Sequence, residues 1–181
     1  MSVTSAKSGA TGISLALDNN YMEPIATTLV GSGGVNTVIF NDIPQTYKHL
    51  QLRVLCKNGT GTYWVITQFN SDTGNNYSYH NIYGSGSAVA AEGYADKAES
   101  NTFLNSSSQF SAGIIDILDY SNTNKYKTLR ALGGYDANGS GYISLASIGW
   151  RNTDPITSIK LYSYTSNFAQ YSRFSLYGIK G

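Results

Sequence analysis

The chain is poor in the residues on which most protein chemistry depends. Its 181 residues include one cysteine, Cys56, and two histidines, His49 and His80. A lone cysteine excludes an internal disulfide framework and a cysteine-rich zinc site. Two histidines leave little material for acid–base or metal chemistry. Charge is scarce too. Twelve Lys and Arg stand against eleven Asp and Glu, for a net charge of +1, and charged residues are 13% of the chain, where soluble proteins average about 25%. That excludes a broad phosphate-binding surface, which rests on clustered Lys and Arg, and a polybasic membrane patch. No run approaches about 18 consecutive apolar residues, so no membrane-spanning helix is expected. The opening Met1-Ser-Val-Thr-Ser-Ala-Lys-Ser-Gly-Ala10 lacks the charged-then-apolar order of a secretion signal, and no leader is expected.

Uncharged polar residues take the place of the missing charge: 23 Ser, 16 Thr, 16 Asn and 15 Tyr. A neutral surface of this kind suits a built-in component better than a freely diffusing monomer, because dispersed domains rely on charge to stay apart. At this length folding removes roughly 70% of the extended chain's surface from water, enough for one core without staples.

Residues 1–24 read as an extended N-terminal arm and residues 25–181 as one domain. The arm is rich in Ser, Gly and Ala, and too few large side chains are present for it to order on its own. Ile13, Leu15 and Leu17 alternate as one added β-strand would require, and with Tyr21 they are the candidate interface residues of the arm.

The domain reads as strand after strand. Leu50, Leu52, Val54 and Cys56 share one face of the stretch from Lys48 to Cys56, Asn58-Gly59 reads as a tight hairpin turn, and Thr62–Phe69 is expected to return as the paired strand. Further strands are expected over 112–119, 125–132, 141–150, 156–164 and 173–179. Residues 70–110 read as a long connection, with a turn of helix near 88–98. Eight to ten strands, no strong helix and closely spaced turns predict an all-β, antiparallel β-sandwich, with a jelly roll as the first choice and another Greek-key sandwich as the alternative.

Candidate chemistry is thin. Asp136-Ala-Asn138-Gly-Ser140-Gly141 matches the start of a calcium loop, with oxygen ligands at positions one, three and five and Gly at six. Position twelve is Ser147 in place of the bidentate Glu, strands flank the segment, and Asn-Gly serves equally as a turn, so Asp136, Asn138 and Ser140 are a weak metal candidate. Asp116 and Asp119 have opposite parity in one strand and cannot serve one sugar as facing carboxylates. Glu92, Asp96 and Glu99 show no local pairing. Cys56 and His49 also have opposite parity, and Cys56 reads as a buried apolar residue. No catalytic residue and no cofactor is expected.

Aromatic residues carry more weight. Trp64, Trp150, Tyr162 and Tyr164 are the candidate binding aromatics, because such side chains combine large contact area with a polar tip. Protein interface, sugar platform and ordinary core packing all use them, and composition does not separate the three.

Two stretches carry a resemblance. The first is Glu23-Pro-Ile-Ala-Thr-Thr-Leu-Val-Gly-Ser-Gly-Gly-Val35 with Val38-Ile-Phe-Asn-Asp-Ile-Pro44-Gln-Thr-Tyr-Lys-His-Leu-Gln-Leu-Arg53. The second is the ending Ser172-Arg-Phe-Ser-Leu-Tyr-Gly-Ile-Lys-Gly181. Both resemble small structural proteins of tailed bacteriophages, particularly those of cyanobacteria and other aquatic bacteria. The resemblance covers about a quarter of the chain and implies a non-enzymatic virion component with a β-sandwich core. It supplies no catalytic residues. Ile43-Pro44 also has a purely physical reading, as the crossover between two strands.

Three roles follow as expectations: a head decoration or cement protein held by its arm, a tail or tail-fibre component with a host-glycan site, and a carbohydrate-active module. The first is favoured, since no shaft, repeat or coiled coil is visible. The partners expected are other virion proteins (the major capsid protein or tail proteins) and further copies in a homo-oligomer, a trimer being one form. A host glycan is the alternative ligand. The place of action expected is the virion, assembled in the host cytoplasm, with neither nucleic acid nor membrane as partner.

Overall fold

The computed structural model describes residues 21–181 and contains twelve strands: β1 (Met22–Leu29), β2 (Thr37–Phe40), β3 (His49–Cys56), β4 (Tyr63–Phe69), β5 (Tyr77–Gly84), β6 (Val89–Lys97), β7 (Ser100–Asn105), β8 (Ser111–Leu118), β9 (Lys127–Asp136), β10 (Gly141–Trp150), β11 (Ile159–Ser163) and β12 (Arg173–Ile179). They form an eight-stranded sheet in the order β1-β12-β3-β8-β9-β10-β5-β6 and a four-stranded sheet in the order β2-β11-β4-β7. Every pairing is antiparallel.

Eight strands make a jelly roll. The pairs β1–β12, β2–β11, β3–β8 and β4–β7 are the rungs of one long antiparallel ribbon, and wrapping that ribbon adds the contacts β12–β3 and β11–β4. The remaining strands are two insertions, β5–β6 between β4 and β7 and β9–β10 between β8 and β11. They join each other through β10–β5 and widen the first sheet by four strands.

The core lies between the sheets. Leu50, Leu52, Val54 and Cys56 are all buried, as their alternation requires, and pack with Ile115, Ile117, Leu129, Phe174 and Leu176 of neighbouring strands. Chain passage from β2 to β3 is also passage from one sheet to the other, and Ile43-Pro44 stands at that crossover. β1 begins at Met22 and carries Pro24 beside a register shift on an edge strand, where a missing N–H is tolerated.

The stretch 70–110 corrects the sequence-based expectation. It holds three strands and no helical turn. β6 is an outermost strand exposed along most of its length, so it has no alternation to read. β7 is buried at every residue, which also erases the period.

Candidate functional site

The face of the large sheet that looks away from the core carries a surface of unexpected chemistry. Two adjacent cross-strand rows run over it. One row is Ile114 (β8), Leu132 (β9), Leu145 (β10) and Ile82 (β5), each the register partner of the next. The next row holds Leu55 (β3), Ala112, Gly134, Ile143, Gly84 and Val89 (β6) in the same unbroken register. Seven of these side chains are large and aliphatic, and their exposure runs from 42% at Ile114 to 78% at Val89. With strands about 4.8 Å apart, the six strands span about 24 Å.

Leu55, Ala112, Ile114, Leu132, Gly134, Ile143 and Gly84 of these rows line an open trough of about 1230 Å³ together with Arg53, Arg173 and Tyr177 and the β9–β10 turn with Asp136, while Leu145, Ile82 and Val89 continue the rows beyond it. Arg53 lies 5.6 Å from the Tyr177 ring centroid and its Nε donates to Gln51 Oε1, while Gln51 Nε2 donates to Asp116 Oδ1. The next outward-facing row is polar: Gln51, Asp116, Arg130, Ser147 and His80 are successive register partners. Apolar floor and polar border are thus separated by a single two-residue step along the strands.

These aliphatic residues are not explained by the core. β10 turns Ser144 and Ala146 inward and Ile143 and Leu145 outward. The inward positions must be small because β7 packs closely there. A Cβ added to Gly113 or Gly133 would fall 2.3 Å or 2.6 Å from the Phe103 ring. Ser144 Oγ accepts from Leu104 N and donates to Gly133 O. Sequence reasoning missed this face. The signal was nonetheless present, in large residues at the parity opposite to small ones in β10.

The aromatic candidates separate into different settings. Trp150 is fully buried against Phe69 and Tyr77, with ring centroids 5.5 Å and 6.4 Å away, and its Nε1 donates to Asp72 Oδ2 at 2.7 Å. It is a core residue and not a binding platform. Burial raises the Asp72 carboxyl, but hydrogen bonds from Trp150, Asn76 and the Gly74 N–H outweigh it and hold the group below its ordinary range. Trp64 is half-buried at the rim of the sandwich, edge-on to Tyr83 at 5.6 Å; Tyr83 contacts Tyr142, which contacts Tyr135. Tyr162 donates its hydroxyl to Glu99 and carries Lys160 Nζ 4.6 Å from its ring centroid, while Tyr164 is half-exposed beside it. Burial pushes both phenols up, reinforced by Glu99.

The remaining candidates are structural. Asp136–Ser140 is the β9–β10 hairpin turn: Asp136 Oδ1 accepts from Asn138 N at 2.8 Å, Ala137 N donates to Ser140 O, and Asn138 and Gly139 have φ of 55° and 97°. The turn itself occupies the Asp136 carboxylate. Among the described residues, no group of three or more His, Cys, Asp or Glu side chains is placed to hold a metal ion. Asp119 lies just past β8, held low by Lys125 and Lys48. Cys56 is buried and its thiol is pushed far up by that burial. Tyr21 is exposed, and its carbonyl accepts from Lys180 N. Ile13, Leu15 and Leu17 lie outside the described residues.

Both stretches that carry the phage resemblance meet at one place. Tyr47 Oη donates to Glu23 Oε2 at 3.0 Å, Lys180 pairs with Glu23, and the Tyr47 ring lies over Gly178, where a Cβ would fall 2.3 Å away. Tyr120 donates to Pro44 O, and Gln45 Nε2 donates to the carbonyls of Ile43 and Ile156. These contacts join β1, β12 and the approach to β3. The chain was compared with protein-family models, curated proteins and solved structures, and none of them matches it.

Proposed function

We propose that this chain is a non-enzymatic structural subunit of a tailed-phage virion, and that it acts as a decoration or cement protein on the head. The observation that carries the reading is the aliphatic outer face of the large sheet. Seven large apolar side chains in unbroken register form a surface that gains free energy only when something covers it. Low charge and the two phage-like stretches point the same way.

The action is mechanical. Covering apolar surface contributes about 25 cal/mol per Å² before the entropy of association is subtracted. Repetition around a symmetric shell multiplies a modest contact into particle stability. Residues 1–20, with Ile13, Leu15 and Leu17, add a second attachment in this reading, and the major capsid protein is the expected neighbour. The test is to locate the chain on intact particles by electron cryomicroscopy, with heat release of packaged DNA compared in its presence and absence. Density on the head and earlier DNA release without the chain are expected. Density on the tail moves the role there, and absence from particles overturns it.

A tail component that binds a host glycan is the second reading, favoured by the half-buried series Trp64–Tyr83–Tyr142–Tyr135 at the sandwich rim. Loss of glycan-array binding in a folded Trp64→Ala variant would support it. Trp150→Ala is not a usable probe, because Trp150 is in the core.

A further inference from the structure

We propose that the aliphatic outer face of the eight-stranded sheet is covered by the same face of a second copy of this chain, related by a two-fold axis. The proposal rests on the reading of the chain as an assembly subunit and names one of its neighbours.

Area is the first argument. Half-exposed Leu, Ile and Val side chains in two adjacent rows present on the order of 500–600 Å² of apolar surface, at the upper end of the roughly 300–600 Å² that the largest patch of an ordinary monomer spans. With its rim of Arg53, Arg173 and Tyr177, it approaches the roughly 800 Å² that one partner contributes to a standard interface.

Chemistry selects the occupant. Strands β8, β9, β10 and β5 each have neighbours on both sides, so their backbone groups are engaged in the ladder. The two rows therefore present aliphatic side chains, and the aromatic and charged lining of the trough (Tyr135, Tyr142, Tyr177, Arg53, Arg173 and Asp136) lies outside them. A broad, aliphatic, twisted sheet face is complementary to another such face, and two of them pack about 10 Å apart as sheets do inside a sandwich. This chain supplies one in every copy. The charges are compatible: Arg53 and Arg173 lie on one flank and Asp136 at the end of the trough, and a two-fold operator makes any pairing between them twice. The face is also separable from the fold's own needs, because most of it lies on the inserted strands and not on the eight of the roll.

Sedimentation velocity on the purified chain over a wide concentration range reads the outcome. Wild type should form a dimer, or a higher even-numbered oligomer built from dimers. Leu132→Asp should weaken that association at least about a hundred-fold. Leu145→Thr keeps a strand-favouring side chain and should weaken it about ten-fold with an unchanged melting transition, so misfolding of the first variant does not decide the result. A wild type that stays monomeric, an odd-numbered oligomer, or association indifferent to both substitutions overturns the proposal. A monomer found on particles would overturn it and leave the virion role standing. A dimer absent from particles would do the reverse.

Discussion

The Phe103 ring of the small sheet lies directly over Gly133 of the large one, so close that a Cβ on Gly133 would fall 2.6 Å from the ring and 2.7 Å from the Ala112 carbonyl oxygen. Gly113, the register partner of Gly133, forms the other half of the same depression. A fully buried aromatic ring is thereby received by bare backbone on two adjacent strands. Gly133→Val should destabilise by about 1–3 kcal/mol through overpacking, and Phe103→Ala by about 3–5 kcal/mol through the cavity. In urea unfolding, Phe103→Leu combined with Gly133→Ala should cost less than the sum of the two single changes, since the smaller side chain makes room. Strict additivity would show that the two residues do not share this contact.

That contact also explains how far the sequence was legible. β3 and β4 were plain as strands, because one face of β3 is uniformly apolar, but the tight Asn58-Gly59 hairpin expected to pair them does not form. β3 lies in the large sheet and β4 in the small one, neither Asn58 nor Gly59 has a positive φ, and Asn58 is instead buried against Asn105 and Phe168. The sandwich followed from strand spacing and turn residues, which left a jelly roll and another Greek-key arrangement both open. The pairings β1–β12, β2–β11, β3–β8 and β4–β7 decided for the roll. β6 and β7 were hidden for opposite physical reasons, one being exposed on most positions and the other buried on all. The outer face was hidden because hydrophobic alternation is ordinarily assigned to a core. In β10 the core side belongs to Ser144 and Ala146, small because β7 is near, and the larger Ile143 and Leu145 face water. The large-against-small parity of β10 marks two unlike faces, but which of them meets a close neighbour is set by β7 packing over β9 and β10, a long-range fact.

Tyr47 tests whether the phage-like stretches serve folding. Its ring covers Gly178 and its hydroxyl reaches Glu23, so it joins the first and last strands to the start of β3. Tyr47→Phe should cost about 0.5–1.5 kcal/mol, the worth of one hydrogen bond. Tyr47→Ala should cost about 2–4 kcal/mol by removing the ring as well. Oligomer state and particle binding of the Phe variant should match wild type. If Tyr47→Phe instead abolished attachment with stability intact, these residues would belong to an interface.

Lys127 is a buried cation that makes no ion pair with a carboxylate among the described residues. Its Nζ donates to the carbonyl oxygens of Asn122 (2.7 Å), Thr153 (2.9 Å) and Lys125 (3.3 Å), tying the loop before β9 to the loop after β10. Lys127→Met keeps the aliphatic stem and leaves three carbonyls short of a donor. A loss of about 2–4 kcal/mol is expected, with faster amide exchange confined to residues 119–126 and 151–155. A neutral effect on both stability and exchange would mean that water substitutes fully for the ammonium.

Alkaline pH should reveal the buried tyrosines. Burial pushes the Tyr79 phenol up to about 12 from an ordinary 10.0, and Tyr77 is raised by burial too. Tyr162 and Tyr164 are raised first by burial and then by Glu99. The unfolded chain releases these protons near pH 10.0 while the folded chain retains them, so the stability they contribute is whole below pH 10.0 and falls as pH rises through the folded values. Lys127 opposes this weakly: burial lowers its pKa below 10.5, the unfolded chain holds that proton longer, and stability from this group rises with pH up to 10.5. Four phenols outweigh one ammonium. Urea midpoints should therefore decline progressively above about pH 10, and absorbance at the tyrosinate band should show a late class that titrates only as the fold opens. Glu99→Gln removes the negative charge beside Tyr162 and should bring that phenol's titration earlier while leaving Tyr77 where it was. Simultaneous titration of all phenols near their ordinary value, with no loss of stability, would contradict the packing described for both sheets.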